Sequence, residues 1–173
     1  MGNEMLRIGL TVIVLAWFAG SAAAQNYPEK TVTLIAPFTA GGSVDLVARA
    51  LAQQMSEQWK QPVIVSNRPA SGNIGAEAVV RAAPDGYTLL IGTTALSSSP
   101  ALFAKLPFDP VRDLAPVSLV VTMPNLLVVH PSLPARSIRE LLALAKSAPG
   151  ALNSGSAGVG SSNHLALVLF KVE

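Results

Sequence analysis

The stretch that most constrains this chain is Leu34-Ile35-Ala36-Pro37-Phe38-Thr39-Ala40-Gly41-Gly42-Ser43-Val44-Asp45. An apolar, β-prone run from Thr31 to Ala36 stops at a proline, turns through small residues and enters a helical pattern at Ser43. A helix that opens from a glycine turn leaves several N–H groups unpaired at the positive end of its dipole. That arrangement holds an anion without any basic side chain. The same succession returns late in the chain. Leu152-Asn153-Ser154-Gly155-Ser156 reads as a short strand, Ala157-Gly158-Val159-Gly160 as a glycine turn, and Ser161-Ser162 as the cap of a helix carrying Leu165, Val168 and Leu169. Two such units facing each other would clamp a small carboxylate.

Between them, strands alternate with helices. Apolar positions Val44, Val47, Ala48, Leu51, Met55 and Trp59 mark one face of a helix over 43–59, with Ser43 its expected N-cap. Pro62-Val63-Ile64-Val65 is a second strand, ended by Asn67-Arg68-Pro69. The loop Ala70-Ser71-Gly72-Asn73 leads into a small-residue helix over about 74–83, and Tyr87 to Gly92 is a third strand after the turn Pro84-Asp85-Gly86. This alternation predicts an α/β layer with a mainly parallel sheet. Ligands bind outside the carboxyl ends of such strands, here the loops 37–42, 67–72 and 93–99. The proline-spaced segment 100–116 reads as a connection, followed by strands over 117–121 and 126–129 with a domain crossover at Met123-Pro124-Asn125. Ser137-Ile138-Arg139-Glu140 is a capping box opening a further helix, which Pro149-Gly150 ends.

The bulk numbers narrow the function. Half the residues are hydrophobic and 13% are charged, enough material for a core. A net charge of +2, with no cluster of Lys and Arg among aromatics, argues against nucleic acid as a partner. There is no cysteine, so disulfides and thiolate metal sites are excluded. Arg7, the apolar run 8–19 and Ala22-Ala23-Ala24 have the three parts of a secretory signal, expected to be cleaved after Ala24. The apolar run falls short of the ~20 residues that span a bilayer.

Catalytic patterns are wanting. Gly155 to Gly160 has the glycine spacing of a nucleotide-binding loop, but Ser161 stands where the phosphate-binding lysine would be. There is no G-x-S-x-G elbow. Ser161, His164 and Asp45 could be drawn as a triad, yet nothing marks an activated nucleophile among them. His130 and His164 stand at unrelated positions and predict no metal site. No catalytic residue, metal or cofactor is expected.

The mature chain resembles the Bug family, the periplasmic solute-binding proteins of tripartite tricarboxylate transporters. The matching segments run in order from Tyr27-Pro28 and Leu34-Ile35-Ala36-Pro37-Phe38 to Ala40-Gly41-Gly42 with Asp45, then Gln61-Pro62-Val63, Asn67-Arg68-Pro69 and Gly72-Asn73-Ile74-Gly75-Ala76. They continue with Ala83-Pro84-Asp85-Gly86-Tyr87-Thr88-Leu89, Leu106-Pro107-Phe108-Asp109-Pro110, His130-Pro131-Ser132-Leu133-Pro134, and Ser156-Ala157-Gly158 with Ser161 and His164-Leu165-Ala166. Each is weak alone; the ordered set is specific. Thr39 departs from the family's usual proline, and Ala70-Ser71 from a loop richer in glycine.

The resemblance implies an α/β, periplasmic-binding-protein-like two-lobe (Venus flytrap) fold with the second lobe incomplete. It implies a signal peptide over 1–24, a first lobe over 25–124 and the start of a second over 125–173. It implies that Phe38, Ala40, Gly41, Gly42 and Asp45 from the first loop, and Ser156, Gly158, Gly160, Ser161 and His164 from the second, grip a small carboxylate. Thr93 and Thr94 follow a strand's carboxyl end and add hydroxyls. Asn73 either caps its helix or lines the cleft, and Asp45 either serves its helix dipole or lies in the site. A monomer delivering its ligand to membrane transporter subunits is expected, as is a fragment of a longer chain. Two other readings stay open: an α/β enzyme acting on a small carboxylate, and a non-functional fragment.

Overall fold

The computed structural model describes residues 26–69 and 72–172. The signal-peptide reading of 1–24 and the residues Ala70 and Ser71 of the second loop lie outside the described residues.

Strand β1 (Val32–Ala36) is the middle of a parallel sheet ordered β2-β1-β3, with β2 (Val63–Asn67) and β3 (Thr88–Leu90) on its flanks. Helix α1 (Ser43–Trp59) joins β1 to β2, and α2 (Asn73–Val80) joins β2 to β3. Side chains alternate across a strand, and this decides where each helix lies. Val32, Leu34 and Ala36 form the core with Ala48 and Ala52 of α1. Ile35 points the other way, and its Cγ2 approaches Gly75 of α2. The two helices therefore cover opposite faces of β1. Burial of Val32 and Leu34, at 0% and 2% exposure, contributes about 1.5–3 kcal/mol each to holding α1 on the sheet.

Helix α3 (Thr94–Leu102) follows β3 and packs on α2. Chain leaving β1 and chain leaving β3 thus go to opposite faces, which opens a crevice outside their carboxyl ends. Beyond α3 come α4 (Ile138–Ser147) and α5 (Ser162–Val172). At the amino edge of the sheet, Tyr27 stacks near Trp59 and Tyr87 with ring centroids 5.7 and 5.2 Å apart, and its hydroxyl donates to Gly86 O at 2.7 Å. Lys30 lies 4.2 Å from the Tyr87 ring centroid and 3.2 Å from Asp85.

Four expectations need correction. The N-cap of α1 is Gly42, with Ser43 the first helical residue and no side-chain cap. Residues 94–99, expected as loop, are helical, and Pro100 sits inside α3. The helix tolerates it near the carboxyl end, where only one i→i−4 bond is forfeited. Residues 117–121 and 126–129 form no strand, and neither do 152–156. Their side chains are β-prone but have no ladder partner among the described residues, so Val117 and Leu126 stand 88% and 84% exposed. The capping box holds: Ser137 Oγ accepts from Glu140 N at 3.2 Å, while Glu140 reaches back to Arg136 N at 2.6 Å, one residue before the cap.

Candidate functional site

The crevice is built from the ends of β1, β2 and β3 and the helix starts that follow them. At its first wall, Gly41 takes φ +82°, which glycine adopts freely and other residues do not. That conformation turns its N–H inward, to Oδ2 of Asp45 at 2.9 Å. Arg49 Nε, one helical turn on, donates to the same oxygen at 2.9 Å. Asn67, at the end of β2, donates through Nδ2 to Asp45 Oδ1 at 2.9 Å and to the Phe38 carbonyl at 3.2 Å. Asn67 is brought there by the parallel register that pairs it with Ala36.

Asp45 is 3% exposed and fully hydrogen-bonded. The bond from Arg49, followed by those from Gly41 N–H and the Asn67 amide, holds its carboxyl far below the usual carboxylate range. Asp45 is ionised at neutral pH, with its charge spent on the turn and on Arg49. Thr39, Ala40, Ser43 and Val44 have N–H groups with no acceptor among the described residues, and they lie at the positive end of α1. Of these residues Thr39, Ala40 and Ser43 are exposed and Val44 is half-buried.

The middle of the crevice is close-packed. Asn73 opens α2 after Gly72, and its Oδ1 lies 2.6 Å from the hydroxyl of Ser99, which is equally close to Ala95 O. Asn73 thereby ties α2 to α3. Thr93 is the N-cap of α3 but makes no side-chain cap bond, and Thr94 beside it is exposed. Both hydroxyls remain available.

The second glycine turn packs against α3. Gly158 and Gly160 take φ +124° and +83°. Ser161 Oγ donates to Gly158 O at 2.6 Å and accepts from His164 N at 3.3 Å, capping α5 as expected. Gly158 N approaches Ser156 Oγ at 3.4 Å. Gly160 N donates to His164 Nδ1 at 3.4 Å. With Nδ1 accepting, Nε2 is the ring nitrogen left to donate to an outside partner.

Gly72, in the loop after β2, and Gly160, in the late glycine turn, both approach Ala95. A Cβ on Gly72 would lie 3.5 Å from Ala95 Cβ, and one on Gly160 would lie 3.7 Å from Ala95 Cα and 3.0 Å from Ser98 Oγ. Ser98 Oγ also donates to Gly160 O at 3.1 Å. On the other side of α2, Gly75 sits against Pro37. The structure therefore links the site candidates in series from Phe38, Gly41 and Asp45, through Asn73 and Thr93, to Gly160, Ser161 and His164. Asn67, Arg49, Ser98 and Ser99 were not singled out from the sequence. The Asp45/Arg49 spacing of four residues on a helix was the available signal; the others depend on strand register and helix docking. Among the described residues, no group of three or more His, Asp or Glu is arranged to hold a metal.

A parallel sheet with helices on both faces and a glycine turn after its central strand is the architecture of a periplasmic-binding-protein lobe. Residues 47–173 match the model of the tripartite tricarboxylate transporter family receptor, and the chain belongs to that family. A UPF0065 protein of Bordetella pertussis is 40% identical over 164 residues, 94% of this chain and 50% of that protein. BugT of the same organism is 37% identical over 163 residues, 92% and 50% of the two chains. Among solved structures, R. palustris Rpa4515 with adipate superposes with a TM-score of 0.80 at 39% identity, covering 84% of this chain and 49% of that one. MatC (Rpa3494) from Rhodopseudomonas palustris with bound malate gives 0.76 at 36% identity, covering 85% and 52%. The chain spans about half the length of the curated relatives it matches.

Proposed function

We propose that this chain supplies the carboxylate-gripping crevice of a periplasmic receptor that captures a small organic acid for a membrane transporter. One observation carries the reading: the turn between β1 and α1 has N–H groups on exposed residues with no acceptor among the described residues, at a helix's positive end. Phe38, Gly42 and Asp45 shape that turn, while Ala40 and Ser43 offer donors to one ligand carboxylate. Thr93, Thr94, Asn73, Ser161, Gly158, Gly160 and His164 Nε2 are placed for the rest of the molecule, with Ser156 steadying the second turn.

The proteins with adipate and malate are both similar to this one, and both ligands are dicarboxylates. That supports a dicarboxylate here. The reading includes a periplasmic monomer made with a leader over 1–24, one lobe over 25–124 and a second beginning at 125. Binding without turnover is expected, since the crevice holds its serines and Asp45 in structural hydrogen bonds.

Calorimetric titration of the chain with adipate and with malate tests this. Saturable heat that the corresponding dimethyl esters do not reproduce, with the acid recovered unchanged, is the expected result. No heat with either acid overturns the reading for this chain, and loss of the acid to a product favours the enzyme reading.

A further inference from the structure

Both carboxylate oxygens of Asp45 are engaged by its own protein, and the residue is buried. Gly41 N–H and Arg49 Nε share Oδ2, both at 2.9 Å, and the Asn67 amide takes Oδ1 at 2.9 Å. The second hydrogen of that amide holds Phe38 O at 3.2 Å, and Asn67 Oδ1 lies 3.4 Å from Arg49 Nη2. The turn 38–41 is thus fastened at both ends, by its first carbonyl and its last N–H. Between and after these fastenings, the N–H groups of Thr39, Ala40 and Ser43 have no acceptor among the described residues. We propose that Asp45, with Asn67 and Arg49, is a positioning clamp that aims the anion-binding amides of the first turn and never contacts the ligand.

This deepens the dicarboxylate reading and rests on it. It also reverses what charge alone predicts. A buried carboxylate next to an anion site repels the anion, and its removal would additionally free the positive charge of Arg49. Simple electrostatics therefore has Asp45→Ala tightening a dicarboxylate. A clamp has it weakening one, because the turn loses its shape.

The experiment has two arms. Amide hydrogen exchange is followed residue by residue in the wild-type chain, in Asp45→Ala and in Asn67→Ala, with the core amides of Ala48 and Ala52 as internal controls. Gly41 is expected to exchange about tenfold faster in Asp45→Ala, which removes its charged acceptor, and by a smaller factor in Asn67→Ala, which releases Asp45 Oδ1 and the Phe38 carbonyl, while the controls hold. Unchanged Gly41 exchange in a variant whose controls hold overturns the clamp; should Asp45→Ala lose its controls, Asn67→Ala decides. In the second arm adipate is titrated: about tenfold weaker binding in either variant supports the clamp, and tighter binding in Asp45→Ala overturns it. A wild-type chain that binds neither adipate nor malate refutes the dicarboxylate reading alone, and the exchange arm still decides the clamp.

Discussion

A Cβ built on Gly75 would come within 2.8 Å of Pro37 Cβ, so α2 meets the turn after β1 with no room for a methyl group. The proline ring cannot swing aside, because its backbone is fixed by the strand before it. Gly75→Ala is therefore expected to destabilise the fold by about 1–3 kcal/mol through overpacking. Urea unfolding measures this. Gly155→Ala is the control: nothing lies within 4 Å of its added Cβ, and a change of under ~1 kcal/mol is expected there.

Acid should loosen the turn. The folded state depresses the Asp45 carboxyl, chiefly through Arg49 and then through Gly41 N–H and Asn67. A depressed carboxylate stabilises the fold above its unfolded value of about 3.9 and loses that contribution as pH falls below it. The melting temperature is expected to be level from pH 7 to 5 and to drop below about pH 4. Asp85 and Asp109 are lowered too, by backbone N–H groups of Tyr87 and of Val111, and contribute in the same direction. Asp45→Asn should shrink the acid limb without abolishing it, as read by thermal melts across pH.

Ser99 is fully buried, and its hydroxyl hydrogen lies between Asn73 Oδ1 and Ala95 O. Ser99→Ala strips Asn73 of its donor and should cost about 1–3 kcal/mol. Removing both partners should cost less than the sum of the single changes. A double-mutant cycle in urea reads the coupling, expected at about 0.5 kcal/mol or more.

At α4 the prediction is local. Ser137 caps the helix through Glu140 N, and α4 is largely exposed, with only Leu141 buried. Ser137→Ala should weaken the helix by about 0.5–2 kcal/mol. The effect is expected as faster amide exchange over 138–147, with β1 amides unchanged, because a helix this lightly packed opens on its own.

The alternation of strand, turn and helix through residue 92 was legible because each signal is local: a β-prone run, a glycine, an apolar face of helical spacing. What was hidden depends on pairing. Asn67 looked like the end of a strand, and only its register opposite Ala36 makes it a partner of Asp45. Residues 117–121 and 126–129 have the composition of strands, but composition carries no information about whether a neighbour is present. Pro100 misled in the other direction, since a proline near the end of a helix reads from sequence as its boundary. That glycine turns precede α1 and α5 was visible at once. That Asp45 faces inward was not, because capping and ligand contact require the same residue at the same place.

The Tyr27 clasp has a practical corollary. Tyr27, Trp59 and Tyr87 close the amino edge of the sheet, and the glycine turns lie at its carboxyl edge. The five residues of β1 separate the two edges by about 17 Å. A dye, bead or surface linker attached at Glu29 would therefore sit behind the molecule, leaving the crevice mouth unobstructed for a biosensor.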